Sequence, residues 1–364
     1  MIRVSALSIG EHEEALVLDV LRSGRLVRGP MVERFEAALT RETGARHAIA
    51  VNNGTSALIA ALLAHGIGPG AEVVTSPFTF VATLNAVLHV GATPRFADIG
   101  DDFNLDPASF ENAITPRTRA VMPVHLYGCP APMDEIASVA SRHGLVVLED
   151  AAQALGARVG DRPVGGSGTA CFSFYATKNV TTGEGGAVTT DDDAFARALH
   201  VLRDQGQRGP YDYERPGFNL RMTELEAAIG VAQMQRLPGL LEMRRRHARR
   251  LQEGLADVPG LVLPREPPGR RHVYHQFTVR VTSEARSSRD ELSEALHDMG
   301  VESRVFYPRP VFDYECFRRD PRVGTPSTPR AVAAGREVLS LPVHPGLSDD
   351  DLEHIVLAVR KALT

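Results

Sequence analysis

The sequence predicts an α/β protein. A large domain with a mostly parallel central sheet between helices would span 1–240, and a small C-terminal α+β domain 241–364. Three observations predict this. From about residue 45 to 190, short apolar runs alternate with helical segments, the pattern of β–α units. Those runs are apolar almost throughout, as strands covered on both faces are. A Pro-rich link, "LPREPPGRR" at 263–271, then opens a region with a different order of elements.

The elements follow in order. "HAIAV" (47–51) reads as a strand leading into an Ala- and Leu-rich helix, and "EVVTS" (72–76) as a strand before "FVATLNAVLHVG". Further strands are expected at 94–99, 119–125, 145–150 and 170–176, with amphipathic segments near 106–114 and 132–143 between several of them. Residues 222–257 read as long helical segments broken near Pro238 and carrying the basic stretch "RRRHARR", whose expected place is a solvated helix face. Beyond the link, "HVYHQFTVRV" reads as a strand, and 288–299 and 348–362 as helices.

Composition narrows the function. A net charge of −5 argues against a nucleic-acid partner. No apolar run reaches the roughly 20 residues that span a bilayer, and the N-terminus has no signal-peptide core, so a cytoplasmic protein away from membranes is expected. Cys129, Cys171 and Cys316 lack CxxC spacing and predict reduced thiols, with no disulfide framework and no metal site. There is neither a GxxxxGK loop nor a GxGxxG after a strand.

The chemistry centres on "FSFYATKNVTTGEGG" (172–186). The chain has only two lysines, Lys178 and Lys361; every other basic residue is arginine apart from the histidines. Lys361 suits the last turn of a C-terminal helix. Lys178, between a strand and a Gly-rich turn, could be an ordinary surface lysine. In an arginine-using chain it also suits a chemical need, because lysine can lose its proton and form a Schiff base and arginine does not. Asp150 ends the strand "LVVLED" and could merely cap the next turn. Beside a Schiff-base lysine, it is also the acid that pyridoxal phosphate chemistry requires at the pyridine nitrogen. Gln153 could bond the ring's phenolic oxygen. Gly54, Thr55 and Ser56, in "NNGTSAL", stand at a strand–helix junction that could be a plain N-cap or a phosphate site, to which Ser173 could contribute. Phe80 could stack on a cofactor ring or lie in the core.

Together these segments resemble one family. "LRSGRLVRGPMVERFE", "VNNGTSAL", "PFTFVATLNAVLHVGATPRFADI", "VVLEDAAQALGA", "FSFYATKNVTTGEGGAVTT" and "GFNLRMTELEAAIG", in this order, are similar to the DegT/DnrJ/EryC1/StrS aminotransferases. That family is the sugar aminotransferase branch of the fold type I pyridoxal phosphate enzymes, and the resemblance covers almost the whole chain. It implies pyridoxal 5′-phosphate held covalently by Lys178, with Asp150 at the pyridine nitrogen and Gln153 at the phenolic oxygen. It implies Thr55, Ser56 and Ser173 on the phosphate, and Phe80 over the ring. It further implies a homodimer with shared active sites, in which Asn219 reaches the partner's cofactor phosphate. Arg28, Arg221 and Arg309 are the candidate ligands for an anionic substrate. One departure stands out. Many relatives carry histidine in a "YPxPLH"-like segment, where this chain reads "YPRPVF" (307–312) and has Phe312.

The function implied is amination of a keto nucleotide-sugar with L-glutamate as amino donor. Alternatives are a cyclitol ketone or aminobenzoate precursor as acceptor, a sugar dehydratase, whose hallmark histidine is replaced here by Lys178, and a cofactor-binding regulator without turnover.

Overall fold

The computed structural model describes residues 1–363; Thr364, the last residue of the predicted C-terminal domain, lies outside the described residues. Two helices open the chain. α1 (Glu11–Ser23) starts where the Glu13 carboxylate accepts the Gly10 N–H at 3.0 Å, and it ends at Gly24 in the left-handed region. α2 (Pro30–Thr43) has its first N–H groups satisfied from afar. The buried Glu224 carboxylate accepts from Gly29, Met31 and Val32 at 2.8, 2.9 and 2.9 Å.

The β–α alternation follows: β1 (His47–Val51), α3 (Gly54–Ala64), β2 (Glu72–Thr75), α4 (Val81–His89), β3 (Thr93–Phe96), α5 (Pro107–Ala113), β4 (Thr118–Met122), α6 (Met133–Arg142) and β5 (Val146–Asp150). A small hairpin, β6 (Arg158–Val159) and β7 (Arg162–Pro163), precedes β8 (Thr169–Ser173), β9 (Gly186–Thr190) and α7 (Asp193–Arg203). Seven strands form one sheet in the order β1-β9-β8-β5-β4-β2-β3. The ladder from β3 through β2, β4 and β5 to β8 is parallel, and β9 runs antiparallel between β8 and β1. Sequence reading did not assign β9, because it starts on glycine in a Gly-rich turn and is short. The predicted strands at 94–99, 119–125 and 170–176 end earlier, at Phe96, Met122 and Ser173. Pro123, which has no N–H to give a ladder, follows β4 directly.

A second hairpin, β10 (Gln207–Gly209) and β11 (Asp212–Tyr213), leads to α8 (Glu224–Leu255), one helix of 32 residues. The predicted break at Pro238 is absent. Pro238 sits on the exposed face, while buried Leu237 and Leu240 on either side hold the helix across it. The first half of α8 packs with α1 and α2 over the sheet. Its second half gives Ala248, Leu251 and Leu255 to a separate apolar cluster with C-terminal residues. The boundary predicted at residue 240 therefore falls inside a continuous helix. "RRRHARR" is not simply a solvated face either: Arg244 and His247 are buried, and Arg245 bonds Glu266 and the His272 carbonyl.

The rest comprises β12 (Leu261–Val262), β13 (Arg270–Arg271), β14 (Phe277–Val281), α9 (Arg289–Asp298), the short α10 (Glu315–Arg318), α11 (Pro329–Glu337), β15 (Val338–Leu341) and α12 (Asp349–Leu363). Strands β12, β14 and β15 form an antiparallel sheet, while β13 pairs with β6. Only the second half of "HVYHQFTVRV" is a strand. Its first half is a buried loop, with Tyr274 at φ 46°.

Candidate active site

Open parallel sheets place ligands at the carboxyl ends of their strands, and most of the predicted residues meet there. Asp150 ends β5 and is buried. Its Oδ2 accepts the Thr83 hydroxyl at 2.8 Å, and its Oδ1 the Ala152 N–H at 3.2 Å. Thr83 spends its proton on Asp150 and therefore accepts from the Thr79 hydroxyl, 2.9 Å away. Burial pushes the Asp150 carboxyl up; the Thr83 hydroxyl, the Ala152 amide, Lys178 and His125 each pull it back. No cation lies in ion-pair contact with this carboxylate among the described residues.

Lys178 follows β8 and the turn in which its N–H bonds the Tyr175 carbonyl at 2.8 Å. The side chain is partly open, but the surrounding protein desolvates its amine. Burial lowers the amine from 10.5 to about 8, with Asp150 opposing the shift. Its Nζ makes no hydrogen bond or ion pair among the described residues, so the amine is unengaged.

Gln153 is buried with a fixed orientation. Its Oε1 accepts the Tyr127 N–H at 2.6 Å, so its amide N–H groups point outward, one to Tyr307 Oη at 3.3 Å. Phe80, exposed at the start of α4, lies with its ring 6.1 Å from that of Tyr307. The phosphate candidates meet where the N-terminus of α3 packs against the end of β8. Asn53 caps α3 by accepting the Ser56 N–H at 2.8 Å, leaving the N–H groups of Gly54 and Thr55 without helical acceptors. Gly54 is packed against Ser173. A Cβ there would come within 2.8 Å of the Ser173 Cβ, so glycine is what lets the helix end and the strand end meet.

Other candidates lie apart. Asn219 is exposed and pairs by its backbone with Asp204, whose carboxylate also holds Arg221. Neither bonds Lys178 or Asp150 of its own chain, although the Leu220 carbonyl between them accepts the Asn52 N–H at 2.8 Å. Arg28 lines a surface hollow of about 980 Å³ with His47, His200, Arg203, Asp204 and Arg208. Arg309 lies over the Tyr314 ring at 5.5 Å. Phe312 is buried against Phe96, with Leu84 and Val311, so the residue at the family's histidine position is part of the core. Sequence reading missed Thr83 and Tyr307. Thr83 was signalled only by its place one turn beyond Phe80, and Tyr307 by its place in "YPRP".

Among the described residues no group of three or more His, Cys, Asp or Glu could hold a metal, and no helix is long and apolar enough to cross a membrane. Cys129 and Cys171 are buried free thiols and Cys316 is exposed.

Fold and site define a class: an α/β protein with an unengaged, desolvated lysine and a buried carboxylate at the end of a parallel sheet, beside a helix N-terminus. The chain belongs to the DegT/DnrJ/EryC1/StrS aminotransferase family, whose model matches residues 7–360, and is an aminotransferase of that family. It is 41% identical over 367 residues to the spore coat polysaccharide biosynthesis protein SpsC of Bacillus subtilis, covering 97% of this chain and 94% of that protein. It is 40% identical to GDP-perosamine synthase of Caulobacter vibrioides, covering 100% and 98% of the two chains. Among solved structures, that of DesV from S. venezuelae in complex with a ketimine intermediate is 42% identical, with a TM-score of 0.92 and coverage of 96% and 93%.

Proposed function

We propose that this chain binds pyridoxal 5′-phosphate and transfers an amino group from L-glutamate to a keto nucleotide-sugar. The observation that carries the reading is Asp150: a buried carboxylate without a contacting cation, facing a lysine whose amine is unengaged. A buried anion needs a cationic partner, and the pyridinium of this cofactor is one. The donor set fits the remainder of the group. Gly54, Thr55, Ser56 and Ser173 offer amides and hydroxyls for a phosphate, Gln153 an N–H for a phenolic oxygen, and Phe80 an open ring face.

When bound, the cofactor supplies a carbonyl for amines to condense with and a ring that withdraws electrons from the reacting carbon. The protein supplies the rest. Desolvation keeps a usable fraction of Lys178 as the free base near neutral pH, which nucleophilic attack requires. When not covalently engaged, Lys178 Nζ takes the proton from the donor's α-carbon and returns one to the carbon being aminated. Asp150, fixed by Thr83 and Ala152, holds negative charge where positive charge must persist. Arg28, Arg221 and Arg309 are proposed ligands of a diphosphate.

Nucleotide-sugar as substrate is supported by the relatives' names, which include GDP-perosamine synthase and, at 42% identity, the dTDP-3-amino-3,4,6-trideoxy-alpha-D-glucose transaminase of Streptomyces venezuelae. We further propose a cytoplasmic homodimer in which Asn219, exposed on its own chain, completes the partner's phosphate site. The test is a screen of keto nucleotide-sugars and cyclitol ketones with glutamate, read by mass. Amination of a nucleotide-sugar supports the reading; amination of a free cyclitol ketone alone overturns the substrate class.

A further inference from the structure

The loop between β13 and β14 carries His275, a buried histidine that the chemistry above does not use. Its Nδ1 lies 3.3 Å from Oδ1 of Asn179, the residue that directly follows Lys178. The loop is gripped from several sides. Arg244 of α8 donates to the backbone carbonyls of Tyr274 and His275 at 3.2 and 3.1 Å. This guanidinium is buried and makes no ion pair among the described residues, and its hydrogen bonds go to the loop. The Val273 N–H bonds the Gly128 carbonyl at 3.0 Å, and the Gln276 N–H bonds the Tyr127 carbonyl at 3.2 Å. A side chain at Gly128 would meet Val273 Cγ2 at 2.7 Å and His275 N at 3.0 Å, so the two backbones touch. The same turn holds Gln153 through the Tyr127 N–H.

Burying a histidine and an asparagine amide for one hydrogen bond is expensive, and Asn179 Nδ2 is left buried with no partner. An apolar pair would pack there at less cost, which argues that the contact serves the neighbouring lysine. We infer that His275, clamped by Arg244 and bonded to Asn179, is a positioning residue that holds the Lys178 amine in its water-poor seat. The inference rests on Lys178 being the nucleophile.

Burial holds the His275 imidazole well below the usual range, and the charged and titratable groups facing it, Lys178, Arg244 and His272, lower it further. The ring is therefore neutral, and its Nδ1 tautomer donates to Asn179 Oδ1. A neutral ring can brace the lysine without placing a second positive charge beside it. Asp150 is the charge that favours the protonated Lys178, against the effect of burial.

The chain's two lysines make a direct test possible in the cofactor-free protein. Lys178 and the exposed Lys361 are trace-labelled with acetic anhydride across pH, and each peptide is quantified by mass, with Lys361 as reference. The wild-type Lys178 midpoint is expected near 8. Loosening the seat admits water, so Asn179→Ala and His275→Phe should each raise the midpoint by about one unit, and the double variant no further. His275→Gln, which keeps a donor for Asn179, should stay near wild type. An unmoved midpoint in folded Asn179→Ala overturns the inference, as do shifts that simply add in the double variant. Should His275→Phe fail to fold, Asn179→Ala alone decides. A wild-type midpoint near 10.5 would overturn the reading of Lys178 itself, and the inference with it.

Discussion

At the scale of the residue, the account turns on two groups with opposed needs. Asp150 must stay ionised where burial favours its acid form, and Thr83 is the neutral group that most directly supports it. Asp150→Asn should therefore retain cofactor through the phosphate and lysine contacts yet lose activity by roughly 100- to 1000-fold. Thr83→Val, which leaves the carboxylate charged but one donor short, should lose about 10-fold. Steady-state kinetics on cofactor-saturated protein separates the two, and equal losses would contradict the ordering. Lys178 has the converse problem. Its folded-state value lies near 8, below the 10.5 of a free lysine. Between those values the unfolded chain binds more protons, so the cofactor-free protein should gain stability as pH rises from 8 to 10.5. Below 8 the buried cation costs stability, and Lys178→Met should be the more stable protein by about 2 kcal/mol after allowance for partial solvent screening. Urea denaturation at pH 7 and pH 10 checks both the sign and the narrowing of the difference. Lys178 and Asp150 were legible in the sequence because their chemistry is rare in such a setting. Thr83, Tyr307 and His275 were not, since each acts through a contact with residues dozens of positions away that no spacing encodes.

At the scale of the element, near-continuous apolar runs marked five parallel strands and their β–α order, because burial on both faces leaves no other composition. What failed was local propensity set against tertiary packing. Proline predicts a broken helix at 238, yet α8 runs through it because Leu237 and Leu240 are buried against its neighbours. The missing backbone bond should still register. Pro238→Ala, on an exposed face, should stabilise the protein by about 1–3 kcal/mol in denaturant titrations, and destabilisation would show that the proline shapes a needed bend. "RRRHARR" misled in the same way, since charge count does not reveal that Arg244 turns inward to backbone carbonyls. Because α8 packs on both apolar clusters, we propose that the division between the domains passes through this helix rather than through a linker.

At the scale of the whole molecule, Asn219 is exposed and bonds neither Lys178 nor Asp150 of its own chain, which leaves it open to the partner chain of a shared site. Lys178→Ala chains mixed with chains altered at both Asn219 and Arg221 should recover up to about a quarter of wild-type activity after subunit exchange. No recovery despite demonstrated exchange would contradict the shared site. A nucleoside diphosphate should likewise compete with the acceptor if arginines recognise that part of it. The central claim, that Lys178 performs amino transfer on a bound cofactor, is tested most directly without any acceptor. Cofactor-loaded protein is mixed with L-glutamate, and 2-oxoglutarate is measured against the concentration of chains. The account predicts close to one equivalent from the wild type and none on the same timescale from Lys178→Ala; equal yields from both proteins, or none from the wild type, would contradict it.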